Sequence, residues 1–399
     1  MDCTANWREG PRICDTRGRV SDEGRDRRPE WAPATAGREF ATRVLDGVEG
    51  GDDGVAGRVA PRSPEPERPR RRRLDLADYV KGVRAADRTV LGRAITLIES
   101  NAPAHQELGR ALLRELLPHT GTALRVGVTG MPGAGKSTFI DTLGDLLCER
   151  GHRLAVLAVD PSSTRTRGSI LGDKTRMDRL SRRPGAFIRP SPTGGTLGGV
   201  TRKSRETMLV CEAAGYDVIL IETVGVGQSE VAVRAMVDFF LLMLLPGAGD
   251  ELQGLKRGVM ELCDTLVVNK ADGDNRVRAE ATRAEYARAI HLLQPATEGW
   301  TTRVLACSAL TGAGVPEVWD AMQEFRELAL RSGALEERRR SQLVDWVRVL
   351  AREYLERRFF DHPRVRVLLP ELETAVARGE LPATRAVELL IEAFEKPHG

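Results

Sequence analysis

Short apolar runs alternate with longer stretches of mixed polarity in the central part of the chain. The runs are LRVGV (124–128), LAVLAV (154–159), VILIE (218–222), FFLLMLL (239–245), TLVVN (265–269) and RVLACS (303–308). Continuous apolar runs of this length are typical of parallel strands that helices cover on both faces of a sheet. The pattern therefore predicts an α/β domain over residues 123–332, with a doubly wound and mainly parallel sheet.

Helical periodicity dominates on both sides of this central part. Apolar side chains recur at the spacing of amphipathic helices over residues 75–122. Towards the other end, residues 336–360 and 381–394 predict two helices separated by a Pro-containing break, and we expect residues 333–399 to form a helical arm for dimerisation or docking. Residues 1–74 are rich in Arg, Gly, Pro, Asp and Glu without such periodicity, which predicts a disordered tail.

The composition limits the kinds of partner that the chain is expected to bind. The 399 residues are 41% hydrophobic and 29% charged, and the net charge of +3 is too small to indicate a nucleic-acid or membrane surface. The longest apolar run is far shorter than the roughly 20 residues that a membrane helix needs. The six cysteines lie far apart without a CxxC pair, and no signal-like apolar segment lies near the start, so we expect a cytoplasmic protein.

A phosphate-binding loop follows the first apolar run. Gly130, Gly135, Lys136 and Ser137 match the pattern G-x-x-x-x-G-K-[ST], between a predicted strand and a helix predicted over Ser137 to Cys148. The glycines let backbone N–H groups turn towards phosphate, Lys136 is expected to bridge the β- and γ-phosphates, and the Ser137 hydroxyl to ligate Mg²⁺. The candidate phosphate-binding residues are Gly133, Ala134, Gly135, Lys136, Ser137 and Thr138.

The choice of base is predicted by a second motif. Asn269, Lys270 and Asp272 form an NKxD sequence directly after the run TLVVN. A carboxylate at the edge of the ring accepts two hydrogen bonds from guanine N1 and N2, donors that adenine does not present in that arrangement. Further on, Ser308, Ala309 and Leu310 follow another strand, where GTPases of this kind place a backbone N–H against the guanine oxygen. The sequence therefore predicts GTP or GDP as the ligand.

Carboxylates at strand ends near the phosphates are candidates for holding Mg²⁺, which prefers oxygen ligands. Asp160 ends LAVLAVD, Asp173 lies in ILGDKTRM and Glu222 ends VILIE. We expect these three residues and Ser137 to be the metal ligands. Lys136, Asp160 and Glu222 are the candidate catalytic residues.

Two segments have the composition of nucleotide-sensing switches. Glu222 to Gly225 has the spacing of the DxxG segment of GTPases with Glu in place of Asp, and we expect the Gly225 N–H to contact the γ-phosphate. Val226 occupies the place of the water-orienting Gln of many small GTPases, which predicts weak intrinsic hydrolysis that a partner accelerates. The loop PGAGDELQGLKRG (246–258) is either a further switch or an ordinary surface loop. Its candidate switch residues are Asp250, Glu251, Gln253 and Lys256.

Together these motifs resemble the methylmalonyl-CoA-mutase-associated GTPases. The resemblance rests on the blocks GMPGAGKST, VDPSS, GSILGDKTRM, FIRPSP, LGGV, DVILIETVGVGQSE, GDELQGLKRG and NKAD, which occur in family order. It implies a P-loop GTPase fold and the site roles given above, with Mg²⁺ as cofactor. It also implies a homodimeric chaperone that gates cofactor loading, by an adenosyltransferase, of an adenosylcobalamin-dependent acyl-CoA mutase. Which acyl-CoA mutase it serves stays open.

Three other functions compete with this interpretation. A nickel-insertion GTPase would need a Cys/His cluster, and none of the six histidines is adjacent to a cysteine or another histidine. A transport-linked ATPase or kinase acting on periplasmic amino-acid-binding proteins would need a base on the acceptor side, and no such residue is evident. The third is a regulatory binding module with negligible turnover.

Overall fold

The computed structural model describes residues 74–159, 177–190, 197–223, 229–247 and 257–396. The strands are β1 (Leu124–Gly130), β2 (Leu154–Val159), β3 (Ala186–Arg189), β4 (Val218–Thr223), β5 (Phe239–Leu244), β6 (Thr265–Val268) and β7 (Arg303–Ala306). The helices are α1 (Leu76–Arg84), α2 (Arg88–Glu99), α3 (Pro103–Leu116), α4 (Lys136–Glu149), α5 (Asp178–Ser181), α6 (Leu197–Ala213), α7 (Ser229–Arg234), α8 (Arg257–Met260), α9 (Asn275–Ile290), α10 (Val315–Arg331), α11 (Ala334–Phe360), α12 (Pro363–Ala377) and α13 (Ala383–Glu395).

The strands form one seven-stranded sheet in the order β3-β2-β4-β1-β5-β6-β7, and every pair is parallel. The central strand β1 lies between β4 and β5, with Val126 opposite both Leu220 and Phe239. The chain builds the sheet first to one side of β1 and then to the other. Ligands of such sheets bind at the carboxyl ends of the strands, beside the point where the order reverses. The fold class predicted from the apolar runs is confirmed.

Helices cover both faces of the sheet, as the uninterrupted apolar runs require. Neighbouring residues on one strand, Phe239 and Phe240, belong to two different buried clusters because successive side chains point to opposite faces. The cluster around Phe240 includes Leu91 of α2 and Leu112 of α3, so the amino-terminal helices pack on that face. The other cluster includes Phe325 of α10.

Two elements differ from the sequence-based expectation. The edge strand β3 was not predicted, because it has only four residues and Ile188 and Arg189 are merely half-buried. The prediction of a Pro-containing break between two arm helices is wrong, since residues Pro363–Ala377 form a third helix, α12. Pro363 lies in the first turn, where its missing N–H removes no helical hydrogen bond. Pro370 lies inside the helix, whose residues Val365 and Leu372 are buried against α13.

The amino-terminal tail lies outside the described residues, so its predicted disorder stays a prediction. None of the helices in the described ranges is both long and apolar enough to span a bilayer.

Candidate functional site

The phosphate-loop pattern lies at the carboxyl end of β1 and runs directly into α4. Gly130, Gly133 and Gly135 all have positive φ angles, of 146°, 79° and 87°. L side chains rarely adopt such angles, so the glycines are required by the backbone itself. At Gly135 there is also no room for a side chain, because a Cβ atom would lie 2.5 Å from Nδ2 of Asn269. The loop is therefore shaped to turn backbone N–H groups towards a phosphate.

Lys136 begins α4 and its side chain is folded back over the loop. Its Nζ donates hydrogen bonds to the carbonyl oxygens of Gly130, at 2.8 Å, and Met131, at 3.1 Å, and the residue is only 8% exposed. Burial lowers the pKa of Lys136 below its ordinary value, and the negative charges of Glu222 and Glu230 offset part of that shift. The two carboxylates thus favour the ammonium form, which is the form that binds phosphate.

Ser137 and Glu222 meet although they are 85 positions apart in the chain. The Ser137 hydroxyl donates to Oε1 of Glu222 at 2.7 Å, at the point where β4 ends. A hydroxyl and a carboxylate oxygen are suitable ligands for Mg²⁺, which takes its remaining ligands from phosphate and water. The residues present therefore fit a magnesium ion that accompanies a nucleotide.

The other candidate metal ligands, Asp160 and Asp173, lie outside the described residues. Within the described ranges, no group of three or more His, Cys, Asp or Glu side chains lies close enough together to hold a metal ion. Gly225 also lies outside the described part of the chain. The same is true of the four candidate switch residues, Asp250, Glu251, Gln253 and Lys256.

Asn269 connects the phosphate loop to the base-recognition loops. Its Nδ2 donates to the carbonyl oxygen of Ala134 at 2.8 Å, and its Oδ1 accepts the N–H of Ala309 at 2.9 Å. Burial raises the pKa of Cys307 to about 12, so its neutral thiol also donates to Asn269 Oδ1, at 3.6 Å. The next residue, Lys270, has a φ of 61°, a conformation that few non-glycine residues adopt. The Asn269 side chain therefore joins its own segment to two others, the phosphate loop and residues 307–309.

The structure brings together Asp272 and the loop at residues 308–310, the two segments for which the sequence predicts base recognition. The Ser308 hydroxyl donates to Oδ2 of Asp272 at 2.5 Å, which leaves Oδ1 for a ligand. Thr142 of α4 donates from Oγ1 to the carbonyl oxygen of Ala309 at 2.6 Å. Because the Ala309 N–H is already bonded to Asn269, we expect the N–H of Leu310 to face the guanine oxygen. The Leu310 side chain is 70% exposed.

Two residues of this site were missed by the sequence analysis. Glu230 of α7 is fully buried and its charge acts on Lys136, although no motif assigns it a role. Thr142 lies six positions after Lys136 in α4, outside the phosphate-loop pattern. Nothing in the sequence indicates either residue, because Glu230 has the place of an ordinary acidic residue in the first turn of a helix and the contact of Thr142 depends on a distant loop.

Comparisons with known proteins support a guanine nucleotide as the ligand. The family described as methylmalonyl Co-A mutase-associated GTPase MeaB matches residues 91–364. A protein of Caulobacter vibrioides named as a GTPase is 54% identical over 321 residues, which are 80% of this chain and 98% of the relative. The mouse protein named methylmalonic aciduria type A homolog, mitochondrial, is 50% identical over 329 residues, 80% of this chain and 78% of the relative. A crystal structure of an LAO/AO transport system kinase is 39% identical with a TM-score of 0.64, covering 80% of this chain and 98% of that one.

Proposed function

Because this chain belongs to the methylmalonyl-CoA-mutase-associated GTPase family, we propose that it uses GTP hydrolysis to gate the cofactor loading of an adenosylcobalamin-dependent acyl-CoA mutase. The chain is a GTPase of the P-loop class. The observation that carries the proposal is the family match over residues 91–364, which includes every described residue of the nucleotide site. The name of the mouse relative, which refers to methylmalonic aciduria, supports a link to methylmalonyl-CoA metabolism.

The hydrolytic step follows from the contacts of the phosphate loop. Water attacks the γ-phosphorus, the bond to the bridging oxygen breaks, and GDP leaves with the negative charge on its β-phosphate. The Lys136 ammonium stabilises that charge when its Nζ moves from the carbonyls of Gly130 and Met131 to the phosphates. The backbone N–H groups of the loop hold the β-phosphate in place.

Ser137 and Glu222 are the described residues that would hold Mg²⁺. The ion, when bound, neutralises charge on the β- and γ-phosphate oxygens. The Ser137 hydroxyl would coordinate through its oxygen, and Glu222 would orient it by the hydrogen bond observed at 2.7 Å or through a bound water. We also propose that Asp160 and Asp173 coordinate the magnesium ion directly.

Replacing Asp272 by asparagine is expected to weaken GTP binding by about tenfold to a hundredfold and to shift preference towards xanthosine triphosphate. The amide places a donor where guanine also has donors, whereas xanthine presents a carbonyl oxygen there. Competition binding with the two nucleotides measures the ratio. Asp274→Asn is a matched control, because Asp274 is exposed and makes no capping hydrogen bond at the start of α9. An unchanged preference for guanine in the Asp272 variant would overturn the base assignment.

The proposal predicts that a cognate mutase accelerates steady-state GTP hydrolysis at least about tenfold, since partners of such GTPases supply missing catalytic groups or order the switches. Phosphate release is measured with and without the mutase, at equal GTPase concentration. An unrelated acyl-CoA enzyme serves as the control for non-specific effects. Identical rates, together with no complex in sedimentation, would exclude the mutase as a partner.

The remaining partners belong to the same proposal. A homodimer is supported by exposed apolar side chains along α11, among them Leu343, Val347 and Tyr354. The adenosyltransferase follows from the proposed loading role. The free cysteines Cys148 and Cys211 are consistent with the proposed cytoplasmic location, where thiols stay reduced.

A transport-linked kinase is the second candidate, favoured by the likeness to the LAO/AO transport system kinase. The two functions differ in where the γ-phosphate goes. A kinase transfers it to an amino-acid-binding protein, whereas a GTPase releases it as inorganic phosphate. Incubation with γ-labelled GTP or ATP and such a binding protein distinguishes them, because only a kinase labels the protein.

A further inference from the structure

The loop at residues 308–313 leaves one of its backbone donors free. Its other N–H groups are bonded to acceptors of the protein at distances between 2.8 and 3.4 Å. These are the N–H groups of Ser308, Ala309, Thr311, Gly312 and Ala313. Within the described part of the chain, the N–H of Leu310 has no acceptor. Backbone N–H groups are strong donors that are rarely left unpaired, so this one is available to a ligand.

The peptide group that carries this N–H is held from its other side. The N–H of Leu310 and the carbonyl oxygen of Ala309 belong to one peptide group, which is planar and directs the two in opposite directions. The Thr142 hydroxyl of α4 donates to that carbonyl oxygen at 2.6 Å, and it is the only donor that the described residues supply there. The contact therefore fixes the direction in which the Leu310 N–H points.

Thr142 makes this contact in place of a local one. A threonine hydroxyl inside a helix often bonds the carbonyl oxygen four residues before it, as Thr374 of α12 does with Pro370 at 2.8 Å. The methyl group of Thr142 meets the same loop as its hydroxyl, since a Cβ atom at Gly312 would lie 3.8 Å from Thr142 Cγ2. Threonine is a poor helix former, so its use at this position is explained by the loop and not by α4.

The same helix begins at the phosphate loop. Thr142 lies six positions after Lys136, which is about 9 Å along the helix axis. Ala309 is 3% exposed and belongs to one buried cluster with Phe139 and Leu143 of α4. Packing and the hydrogen bond thus hold the loop against the helix whose first turn belongs to the phosphate site.

We propose that Thr142 is a positioning residue for guanine recognition: its hydroxyl holds the peptide group of residues 309–310 so that the Leu310 N–H donates to the 6-oxo group of guanine. A carbonyl that accepts a hydrogen bond also polarises its peptide group, which strengthens the N–H as a donor. Adenine has an amino group at that position and cannot accept there. Thr142 therefore adds selection at a second point of the ring, apart from the N1 and N2 contacts proposed for Asp272. This inference rests on the proposed base site and is independent of the mutase.

Replacing Thr142 by valine keeps the β-branched shape and removes the hydroxyl. We expect GDP binding to weaken about fivefold, the equivalent of one neutral hydrogen bond. Inosine diphosphate also has the 6-oxo group and is expected to lose affinity by the same factor. The diphosphate of 2,6-diaminopurine riboside has an amino group there, so its affinity should stay within about twofold. Competition against a fluorescent GDP analogue measures all three nucleotides.

Two further variants control this experiment. Thr142→Ser keeps the hydroxyl and is expected to bind GDP within about twofold of the unmodified chain. Thr374→Val removes a hydroxyl that bonds within its own helix, so it should leave all three affinities unchanged. In Thr142→Val, kcat at saturating GTP should also stay within about twofold, because the base contact takes no part in the phosphate chemistry. Thermal unfolding of each variant reports its folding.

Each failure has its own outcome. Equal weakening of the three diphosphates, or a lowered kcat, would show a general distortion of α4 and overturn the positioning role. Undiminished discrimination against the diaminopurine nucleotide in Thr142→Val would refute the role of Thr142 alone. If the unmodified chain bound the guanine and diaminopurine nucleotides equally, the proposed base site itself would fail, and the role of Thr142 with it.

Discussion

Replacing Lys136 by alanine is expected to lower kcat for GTP hydrolysis by about a thousandfold while the chain stays folded. The variant loses the only charge that the phosphate-loop pattern itself provides for the β- and γ-phosphates. Alanine is a good helix former, so α4 still begins at this position. Single-turnover hydrolysis with saturating GTP measures the effect on the chemical step, and circular dichroism reports the fold.

Lys81→Ala is the control for this experiment, because Lys81 is exposed on α1 and remote from the motifs. Its kcat is expected to equal that of the unmodified chain. If Lys136→Ala hydrolysed GTP within about threefold of the unmodified rate, catalysis would not depend on the phosphate-loop lysine, contrary to the charge stabilisation argued here.

Replacing Arg339 by methionine is expected to lower the free energy of unfolding by about 3–5 kcal/mol, the range for removing one partner of a buried ion pair. Asp238 is fully buried and accepts from Arg339 Nε at 2.8 Å and from Nη2 at 2.5 Å. Nη2 also donates to the carbonyl of Ala123 at 2.7 Å. The substitution leaves the carboxylate of Asp238 with the Arg125 N–H, at 3.0 Å, as its remaining described hydrogen-bond donor. Urea unfolding measures the change.

The adjacent residue provides a close control. Arg340 carries the same charge on the same helix, but its ion pair with Glu337 is exposed, with both side chains 68% accessible. Exposed pairs contribute about 0–1 kcal/mol to stability. The Arg340→Met variant should therefore unfold at nearly the same urea concentration as the unmodified chain. Equal destabilisation by the two variants would mean that the loss arises from helix α11 in general and not from the buried carboxylate.

These ion pairs bear on the predicted boundary between residues 332 and 333. Arg338 and Arg339 lie beyond it, yet they bond to Asp238 and Asp264 at the amino end of the sheet. A chain ending at residue 332 would leave the buried Asp238 without its guanidinium partner, whereas Asp264 would keep Arg234. We therefore propose that the first turns of α11 stabilise the GTPase domain. The helical arm would then begin after Gln342.

The glycine-rich loop and the helix that follows it were predictable because their conformation is local. Positive φ at Gly133 and Gly135, and a lysine at the first position of α4, are properties of a few consecutive residues. The apolar runs were equally informative, since a strand buried on both faces needs nearly continuous apolar residues. The edge strand β3 was missed for the opposite reason: it has only four residues and two of them are only half-buried, so its pattern is not distinct from that of a loop.

By itself, the sequence determined the parallel sheet, because strands buried on both faces are encoded as nearly continuous apolar runs, and it predicted phosphate binding and guanine recognition from two short motifs. The tertiary structure decided which distant residues meet: Ser137 with Glu222, Ala309 with Asn269, and Gln342 with the end of α7. Such contacts depend on how strands are ordered and how helices dock. Neither is specified by any short segment, because the free energy that selects them comes from burial and hydrogen bonding summed over the whole core.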